Sequence, residues 1–312
     1  MRAAACCVLA ALLVGGCGGS NRLTAKRTEL RKSGAPVLSI AWPATNTMAV
    51  GGTDEVELRS PHRGRIQFVP VKGQVWGVAW SPYGARLAAA VDSGDLYLWD
   101  QRAEPLGVLR SKHGIAFSVS WSPSSYELLV GYEDGTVIRW STDRRKPIAV
   151  WHLHTAEVIA VAWSPNGKWL ASGSIDTSVR LRAAASGRQV AVLVDKGSAD
   201  VNGLAWSPDS RLLAATNQDG VVRIWDPAHR KLVARLRRFR GWARGVGWSR
   251  DGKLVAASGE DGTVRVWDAA SHARQLALRA DRTPAWSVAW SEVGRRLAAG
   301  TDSGRVVSWA FR

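Results

Sequence analysis

Cysteine is almost absent from this sequence. The three that occur, Cys6, Cys7 and Cys17, all lie in the first 17 residues. A chain segment without cysteine can form neither a disulfide nor a thiolate metal site. Everything after residue 17 must therefore be stabilised by packing and by strand pairing, and the cysteines belong to a separate N-terminal segment.

Two aromatic residue types and one sign of charge are also scarce. The 312 residues include four Phe and four Tyr against 17 Trp. Such an excess of one large residue indicates a position that is used repeatedly, which is a sign of internal repeats. Acidic residues number 26 against 42 Lys and Arg, so the net charge is +16. Hydrophobic residues make up 46% of the chain, which excludes a disordered polycation.

Signatures of catalysis are missing as well. The sequence has no Gly-rich phosphate loop, no zinc motif and no nucleophile elbow. His152 and His154 have a spacing that could chelate a metal, but no third ligand accompanies them, and the six histidines are scattered. We therefore predict that the protein is not an enzyme and that it has no metal site and no cofactor.

The first 22 residues have the order of a targeting segment. After Met1-Arg2, residues 3–14 form an uncharged, mostly aliphatic run. This run is shorter than the roughly 20 residues that span a bilayer as a helix, but it has the length of a signal-peptide core. It ends in Leu13-Val14-Gly15-Gly16-Cys17, which resembles the lipobox of bacterial lipoproteins.

In lipoproteins the lipobox cysteine is diacylated and becomes the first residue of the mature chain. The resemblance implies a signal peptide at 1–16, lipidation at Cys17, a lipid-anchored tether at 17–22 and a location in the bacterial cell envelope. Two alternatives stay open. The segment could be an ordinary secretory signal, or the start could be misassigned and the protein cytoplasmic.

A short strand that ends in Trp recurs seven times along the chain. Two of its copies are Val78-Ala79-Trp80-Ser81-Pro82 and Val161-Ala162-Trp163-Ser164-Pro165. Successive copies lie 38, 41, 42, 43, 42 and 42 residues apart, which defines seven units. The seven anchor tryptophans, one in each unit, are Trp42, Trp80, Trp121, Trp163, Trp206, Trp248 and Trp290.

Each unit is predicted to contain four strands. After the anchor, most units have a turn such as Asn166-Gly167, a strand of small residues and a second turn such as Asp219-Gly220. These dipeptides suit hairpin turns that need φ > 0. A third strand and a more basic fourth strand follow, and no stretch has helical periodicity of useful length, which predicts an all-β fold. The third strand ends in a second tryptophan in five units: Trp99, Trp140, Trp225, Trp267 and Trp309.

This pattern resembles the WD-repeat β-propeller family over about residues 23–312. The resemblance implies a seven-bladed β-propeller with four antiparallel strands per blade, in which twelve tryptophans pack between blades. The chain departs from the family in two units. Arg182 stands where the fourth unit should have its second Trp, and the first unit has Arg59 near the corresponding place. Members of the family carry a His–Ser–Asp–Trp hydrogen-bond network; here only His154 with Asp176 is a candidate, and it lacks the Trp.

The last unit ends just after its third strand, so it lacks a fourth. Counting back from Trp42 places Thr28 and Leu30 where outer-strand leucines stand before the last anchor. We therefore predict that a strand at about 24–31 completes the last blade and closes the ring. Such closure removes the open sheet edge that would invite aggregation.

Closure by this strand would bring the propeller close to a membrane. About six residues separate Cys17 from the strand, a reach of ~20 Å, so the outer edge of the last blade is expected nearest the lipid. The strand could bind anionic lipid or lipopolysaccharide, with about 1 kcal/mol per cation. Alternatively, its charges only prevent edge pairing. The residues concerned are Arg22, Lys26, Arg27, Arg31 and Lys32, with Glu29 as the one acid.

The start of each first strand is a candidate binding surface, since the resemblance places it at the channel mouth, on the face that often binds partners. Aromatic and Arg residues at the centre of a concave face usually carry most of the binding energy. The alternative is that these side chains only fill the channel. The predicted partner-binding residues stand four or six positions before an anchor, or next to a turn Asp. They are Leu38, Trp76, Phe117, Trp242, Arg244, Trp286, Glu133 and Glu260.

A basic run from Arg230 to Arg244, without an acid, maps to the outer strand of the fifth unit and the loop after it. Basic runs can bind phosphates, but nucleic acid is not an expected partner of an envelope protein. Anionic lipid, lipopolysaccharide or an acidic protein fits better, and a solvated outer face is the simplest interpretation. We predict a monomeric, non-catalytic scaffold, lipid-anchored to a bacterial membrane, that binds an unidentified protein or peptide at the channel mouth. The alternatives are a propeller enzyme that uses Glu133, Asp200 and Glu260 at the mouth, and a cytoplasmic scaffold.

Overall fold

The structure, a computed structural model, is built of β-strands. It describes residues 23–32, 34–42, 47–60, 64–197, 199–236, 239–291 and 295–312, and in this part of the chain no helix is long and apolar enough to cross a membrane. The first eight strands are β1 (Ala25–Lys32), β2 (Ile40–Ala41), β3 (Met48–Gly51), β4 (Thr53–Ser60), β5 (Gly64–Trp80), β6 (Arg86–Val91), β7 (Leu96–Asp100) and β8 (Pro105–Leu109).

The remaining strands repeat one pattern, in which every fourth strand ends at an anchor Trp. They are β9 (Ala116–Trp121), β10 (Glu127–Tyr132), β11 (Thr136–Ser141), β12 (Lys146–His152), β13 (Val158–Trp163), β14 (Trp169–Ser174), β15 (Val179–Ala183), β16 (Gln189–Leu193), β17 (Val201–Trp206), β18 (Leu213–Asn217), β19 (Val222–Asp226), β20 (Lys231–Leu236), β21 (Ala243–Trp248), β22 (Leu254–Gly259), β23 (Thr263–Asp268), β24 (Arg274–Arg279), β25 (Ala285–Trp290), β26 (Arg296–Thr301) and β27 (Arg305–Phe311).

The strands form antiparallel sheets that follow the sequence repeat. Five sheets have four strands each, and a sixth has seven, in the order β2-β3-β4-β5-β6-β7-β8. The seven-stranded sheet arises because β5 is continuous: its first part pairs with β4 and its last part pairs with β6. The cause is visible in the sequence, since the first two anchors are only 38 residues apart and no residues remain for a connecting loop.

The last sheet contains both ends of the described chain. Its order is β1-β27-β26-β25, and β1 pairs antiparallel with β27 from Ala25↔Phe311 to Lys32↔Arg305. The strand expected at about 24–31 is thus found one residue further on. It is the outermost strand, so it pairs directly with β27 and not with the two strands beyond.

The first and last sheets are neighbours in space. The Val37 N–H donates to the Thr301 carbonyl at 3.0 Å. Val37 also belongs to one hydrophobic cluster with Ile40 and Trp42 of the first repeat and with Ala298 and Val306 of the last. The two ends of the repeat array are therefore joined by backbone hydrogen bonding and by buried apolar surface.

The anchor tryptophans connect successive sheets in a repeated way. The indole N–H of Trp121 donates to the Ala79 carbonyl at 2.9 Å, and that of Trp248 donates to Ala205 at 3.0 Å. Trp206 and Trp290 make the equivalent bonds to the preceding repeat. In each case the acceptor lies just before the previous anchor. Five anchors are buried and two, Trp80 and Trp290, are half-buried, while the five second tryptophans are all buried.

The two arginines that replace a second Trp have contacts of their own. The Arg182 guanidinium lies 5.0 Å from the centre of the Trp151 ring, so it stacks on an aromatic side chain of the preceding repeat. Arg59 donates through Nε to Glu57 at 2.7 Å and through Nη1 to the Leu30 carbonyl of β1. Arg59, the departure in the first repeat, therefore links the first sheet to β1.

The first strands of the repeats all run in the same direction, which gives the molecule two distinct faces. One cavity is lined by the beginnings of these strands, and a second cavity by the ends of several, including Trp42, Trp206 and Trp290. Turns at the second face also touch each other, since the Asn166 N–H donates to Ser210 Oγ at 3.0 Å. We call the face where first strands begin the mouth face, and the face formed by the turns after first and third strands the turn face.

Candidate functional site

A cavity of about 450 Å³ opens at the mouth face and is lined by every repeat. Each repeat contributes the residue four positions before its anchor. Because one residue from each unit converges on it, this cavity is the only feature that all the repeats build together in the described part of the chain. The seven residues are Leu38, Trp76, Phe117, Ile159, Asn202, Arg244 and Trp286.

A β-bulge aims most of these side chains into the cavity. Between β5 and β6 the pairing register passes from Val75 to Gly77 and skips Trp76. The same irregularity skips Phe117 and Trp286 in their own sheets, and also Ile159, Asn202 and the Arg244-Gly245 pair. A bulge leaves one residue unpaired and changes the direction of its side chain. The bulges thus determine which side chains line the cavity, and no local sequence pattern predicts the bulges.

One wall of the cavity holds an arginine between two indoles. The Arg244 guanidinium carbon lies 4.2 Å from the centre of the Trp242 ring and 4.0 Å from that of Trp286. Its Nη2 is 3.6 Å from Glu260 Oε1, and its side chain is 12% exposed. Burial lowers the pKa of Arg244, and the nearby carboxylates oppose this effect. The group keeps its charge, since the ordinary pKa of arginine is far above neutrality.

The opposite wall is aromatic and has few polar groups. Trp76 and Phe117 meet edge to face, with ring centres 5.1 Å apart. Three buried donors of the lining have no hydrogen-bond partner among the described residues: Trp76 Nε1, Arg244 Nε and Ser287 Oγ. A buried donor without a partner is costly. The cavity therefore offers apolar surface together with N–H and O–H groups that a ligand carbonyl or carboxylate could satisfy.

The two predicted glutamates do not line this cavity. Glu133 accepts a hydrogen bond from the Ile115 N–H at 3.0 Å, and Glu260 accepts one from the Trp242 N–H at 3.1 Å. Both carboxylates hold the loop that leads into a first strand. The structure thus brings together Leu38, Trp76, Phe117, Trp242, Arg244 and Trp286 from the predicted set, and gives Glu133 and Glu260 a positioning role beside them.

The histidine network predicted in the fourth repeat is largely formed. His154 is buried, with Nδ1 2.8 Å from Asp176 Oδ2 and Nε2 2.8 Å from Ser172 Oγ. Ser178 Oγ completes the link to Asp176 at 2.6 Å. Burial lowers the pKa of His154, against the opposing effect of Asp176. Arg182 occupies the place of the missing Trp, so the network is partial, as expected.

Sequence reasoning missed a related contact in the third repeat. His113 Nδ1 lies 2.7 Å from Asp134 Oδ2, but His113 stands eight residues before its anchor, one position away from the place of His154. The neighbouring His152 bonds Thr136 at 2.9 Å and so has a different partner from His154. Across the described ranges, no group of three or more His, Cys, Asp or Glu side chains is placed to hold a metal ion.

Several predictions concern residues at the N-terminus and in the basic run. The signal peptide at 1–16, Cys17 and the tether at 17–22 lie outside the described residues, as do Arg237 and Arg238. The first described residue, Leu23, lines a cavity with Trp290, Ser291 and Phe311, and the Thr24 N–H donates to the Arg312 carbonyl. Leu23 and Thr24 therefore lie at the turn-face end of β1, the outermost strand of the last sheet, and the expectation that the outer edge of the last blade lies nearest a lipid surface stays a prediction.

Comparison with known proteins identifies the repeat. The profile of the family described as WD domain, G-beta repeat matches five stretches that together cover more than half of the chain. These stretches are residues 66–100, 103–141, 145–182, 187–226 and 231–268.

Curated relatives match over part of their length. The chain is 29% identical over 147 residues to "Cell division cycle 20.1, cofactor of APC complex" of Arabidopsis thaliana, covering 45% of this chain and 32% of the relative. It is 29% identical over 165 residues to "Echinoderm microtubule-associated protein-like 2" of Rattus norvegicus, covering 52% and 25%. It is 29% identical over 148 residues to "Actin-interacting protein 1" of Drosophila melanogaster, covering 45% and 24%. The matches thus span about a third or less of these relatives.

Proposed function

Because the chain belongs to the WD domain, G-beta repeat family, we propose that it is a non-catalytic scaffold that binds a protein or peptide segment at its mouth face. The observation that carries the proposal is the cavity to which every repeat contributes one residue. The names of the relatives, a cofactor of a complex, a microtubule-associated protein and an actin-interacting protein, support an interaction role. A shared fold does not transfer a partner, so the partner must be argued from the site.

The scaffold that we propose is a monomeric seven-bladed ring over residues 23–312, closed by β1. Seven repeats, each with one anchor Trp, support the blade count. In this interpretation the seven-stranded sheet is two blades that share β5, because β5 pairs with β4 along one half and with β6 along the other. Pairing of β1 with β27, and the hydrogen bond from Val37 to Thr301, support closure.

The cavity favours a partner segment with one large apolar side chain. Trp76, Phe117 and Ile159 would contact that side chain, and the unpartnered N–H groups of Trp76 and Arg244 would donate hydrogen bonds to backbone carbonyls of the segment. Acidic residues are plentiful in the surrounding loops, among them Asp92 and Glu157. Basic residues next to the apolar side chain would therefore strengthen binding.

A photocrosslinking experiment tests this assignment. A photoreactive phenylalanine derivative replaces Phe117, or Tyr83 on the turn face as a control, and crosslinked proteins are identified in the producing cells. A partner bound at the mouth crosslinks from position 117 and not from position 83. The double variant Trp76→Ala/Trp286→Ala should then reduce affinity for this partner about tenfold or more, since aromatic residues at the centre of an interface dominate binding.

The matched control for that loss is Trp151→Ala/Trp169→Ala. It removes the same number of indoles at positions outside the cavity lining, so general destabilisation would affect it equally. Circular dichroism and thermal unfolding check that both double variants stay folded. Equal affinity of the mouth variant and the wild type would show that the partner binds elsewhere.

We also propose that Cys17 is lipidated after removal of residues 1–16, so that 17–22 tethers the ring to a membrane of the bacterial cell envelope. The lipobox-like sequence supports this, and the position of Leu23 at the turn face would direct the mouth face away from the membrane. Labelled palmitate should be incorporated into the wild type and not into Cys17→Ala. Equal labelling of both proteins, or of neither, would contradict the tether.

A further inference from the structure

The two faces of the molecule carry opposite charge. Among the described residues, the loops of the mouth face contain thirteen Asp and Glu and five Lys and Arg. The turns of the opposite face, with the C-terminal Arg312, contain eleven Lys and Arg and four Asp and Glu. The net charge of +16 is therefore not spread evenly: the turn face is strongly basic, and its basic residues come from turns that are far apart in the sequence.

The basic side chains of the turn face are accessible. Arg102, Lys168, Arg188, Arg211 and Lys253 are all exposed and come from four different repeats. Only Arg211 among them has a carboxylate within 4 Å in the described structure, Asp209 at 3.9 Å. Like charges held on one face repel each other, and an anionic surface that neutralises them relieves this repulsion.

Two exposed tyrosines lie on the same face. Tyr83 is 77% exposed and Tyr126 is 54% exposed, which makes them the two most exposed large aromatic residues described. They occupy the turns after the first strands of adjacent repeats. Tyrosine is enriched at membrane–water interfaces because its ring is apolar and its hydroxyl is hydrated.

We propose that the turn face docks on an anionic lipid bilayer. Cations and two interfacial tyrosines share this face, and the first described residue of the chain, Leu23, also lies there. Each cation near an anionic surface strengthens the attraction, and the attraction is screened by salt. This docking is separate from binding at the mouth and does not require a lipid on Cys17.

Sedimentation with lipid vesicles tests the proposal. The full chain carrying Cys17→Ala, which cannot be acylated there, is mixed with vesicles of phosphatidylglycerol and phosphatidylethanolamine or with vesicles of phosphatidylcholine alone. The aliphatic run can contribute to binding of both kinds, so the difference between them reports the charged face. We expect at least about tenfold tighter binding to the anionic vesicles, falling steeply as salt is raised towards about 0.5 M.

A pair of matched variants locates the surface. The turn-face variant replaces Arg102, Lys168, Arg188, Arg211 and Lys253 by Gln; the mouth-face variant replaces Lys72, Lys112, Lys196, Arg240 and Arg282 by Gln, all of them exposed. Both lose the same charge, but only the turn-face variant should lose its preference for anionic vesicles.

Three results would overturn the proposal. One is equal binding to both kinds of vesicle, and another is an equal loss in the two variants. The third is tight binding of duplex DNA or polyglutamate by the turn face without binding of anionic vesicles, which would assign the charge to a different partner. Palmitate labelling and mouth crosslinking are unaffected by any of these outcomes, so failure here is distinguishable from failure of the proposed scaffold.

Discussion

Replacing Asp195 by Ala should lower the free energy of unfolding by about 3 kcal/mol. The Asp195 carboxylate lies in the loop before β17 and accepts hydrogen bonds from Arg223 Nε at 2.7 Å and Arg235 Nε at 2.8 Å. The side chains of Asp195 and Arg223 are only 6% and 5% exposed. Removing one partner of a buried ion pair costs about 3–5 kcal/mol, and Arg223 keeps a second partner, Asp219, at 2.7 Å, which favours the lower end.

The same contacts predict how the effect depends on pH. Hydrogen bonds from Arg235, and then from Arg223, lower the pKa of Asp195 from 3.8 to about 2. A carboxyl whose pKa is lower in the folded state stabilises the fold above its unfolded pKa and loses that contribution as the pH falls towards the folded pKa. The difference between wild type and Asp195→Ala should therefore be constant above about pH 5 and shrink between about pH 5 and pH 2.

Urea unfolding at several pH values measures both effects. Asp209→Ala is the control, because Asp209 lies in the turn after β17 and its pKa is also lowered, but its side chain is 59% exposed. Asp209→Ala should lower the free energy of unfolding by less than about 1 kcal/mol. If Asp195→Ala were no more destabilising than Asp209→Ala, the buried ion pair would not contribute as the geometry indicates.

A disulfide between positions 28 and 308 should stabilise the protein by about 2–4 kcal/mol. Thr28 and Ser308 are directly opposite each other in the β1–β27 pair. Opposite residues of antiparallel strands have Cα atoms about 4.5–5.5 Å apart, within the range that disulfides accept. The bond would close a loop of nearly the whole described chain, and long loops lose most entropy in the unfolded state.

The sequence makes this experiment clean. Changing Cys6, Cys7 and Cys17 to Ala removes every native thiol, so Thr28→Cys/Ser308→Cys contains only the designed pair. Urea unfolding with and without reductant gives the stabilisation. The control is Arg27→Cys/Ser308→Cys, because adjacent residues of a strand point to opposite faces of the sheet. Failure of the first pair to oxidise, or oxidation of the control instead, would refute the register and with it the proposed closure.

Much of the architecture could be predicted because it depends on local repetition. The anchor spacing identified the repeats, and the alternation of turns and small-residue strands predicted four strands in each. Counting positions back from an anchor was enough to find the row of residues that lines the mouth cavity, since each repeat places equivalent residues at equivalent sites. The same counting located β1 to within one residue.

Other features required two distant segments at once. Whether Trp76 or Phe117 sits on a bulge depends on its register with the neighbouring strand, which no single strand specifies. The position of Arg244 between Trp242 and Trp286 needs a side chain from the next repeat. The pairing of Asp195 with Arg223 spans 28 residues. The backbone N–H bonds that Glu133 and Glu260 accept also join residues beside separate strands of one sheet, and their predicted role at a binding rim stays a prediction.

The charges of the chain show this division most clearly. The excess of basic residues is a property of composition, and so is the scarcity of acids. Their separation onto opposite faces is not, because loops of the mouth face and turns of the turn face alternate along the chain, so that acidic and basic turns follow each other in the sequence. Only the repeated reversal of strands, which returns every second turn to the same face, places eleven described Lys and Arg in the turns of one face and thirteen Asp and Glu in the loops of the other.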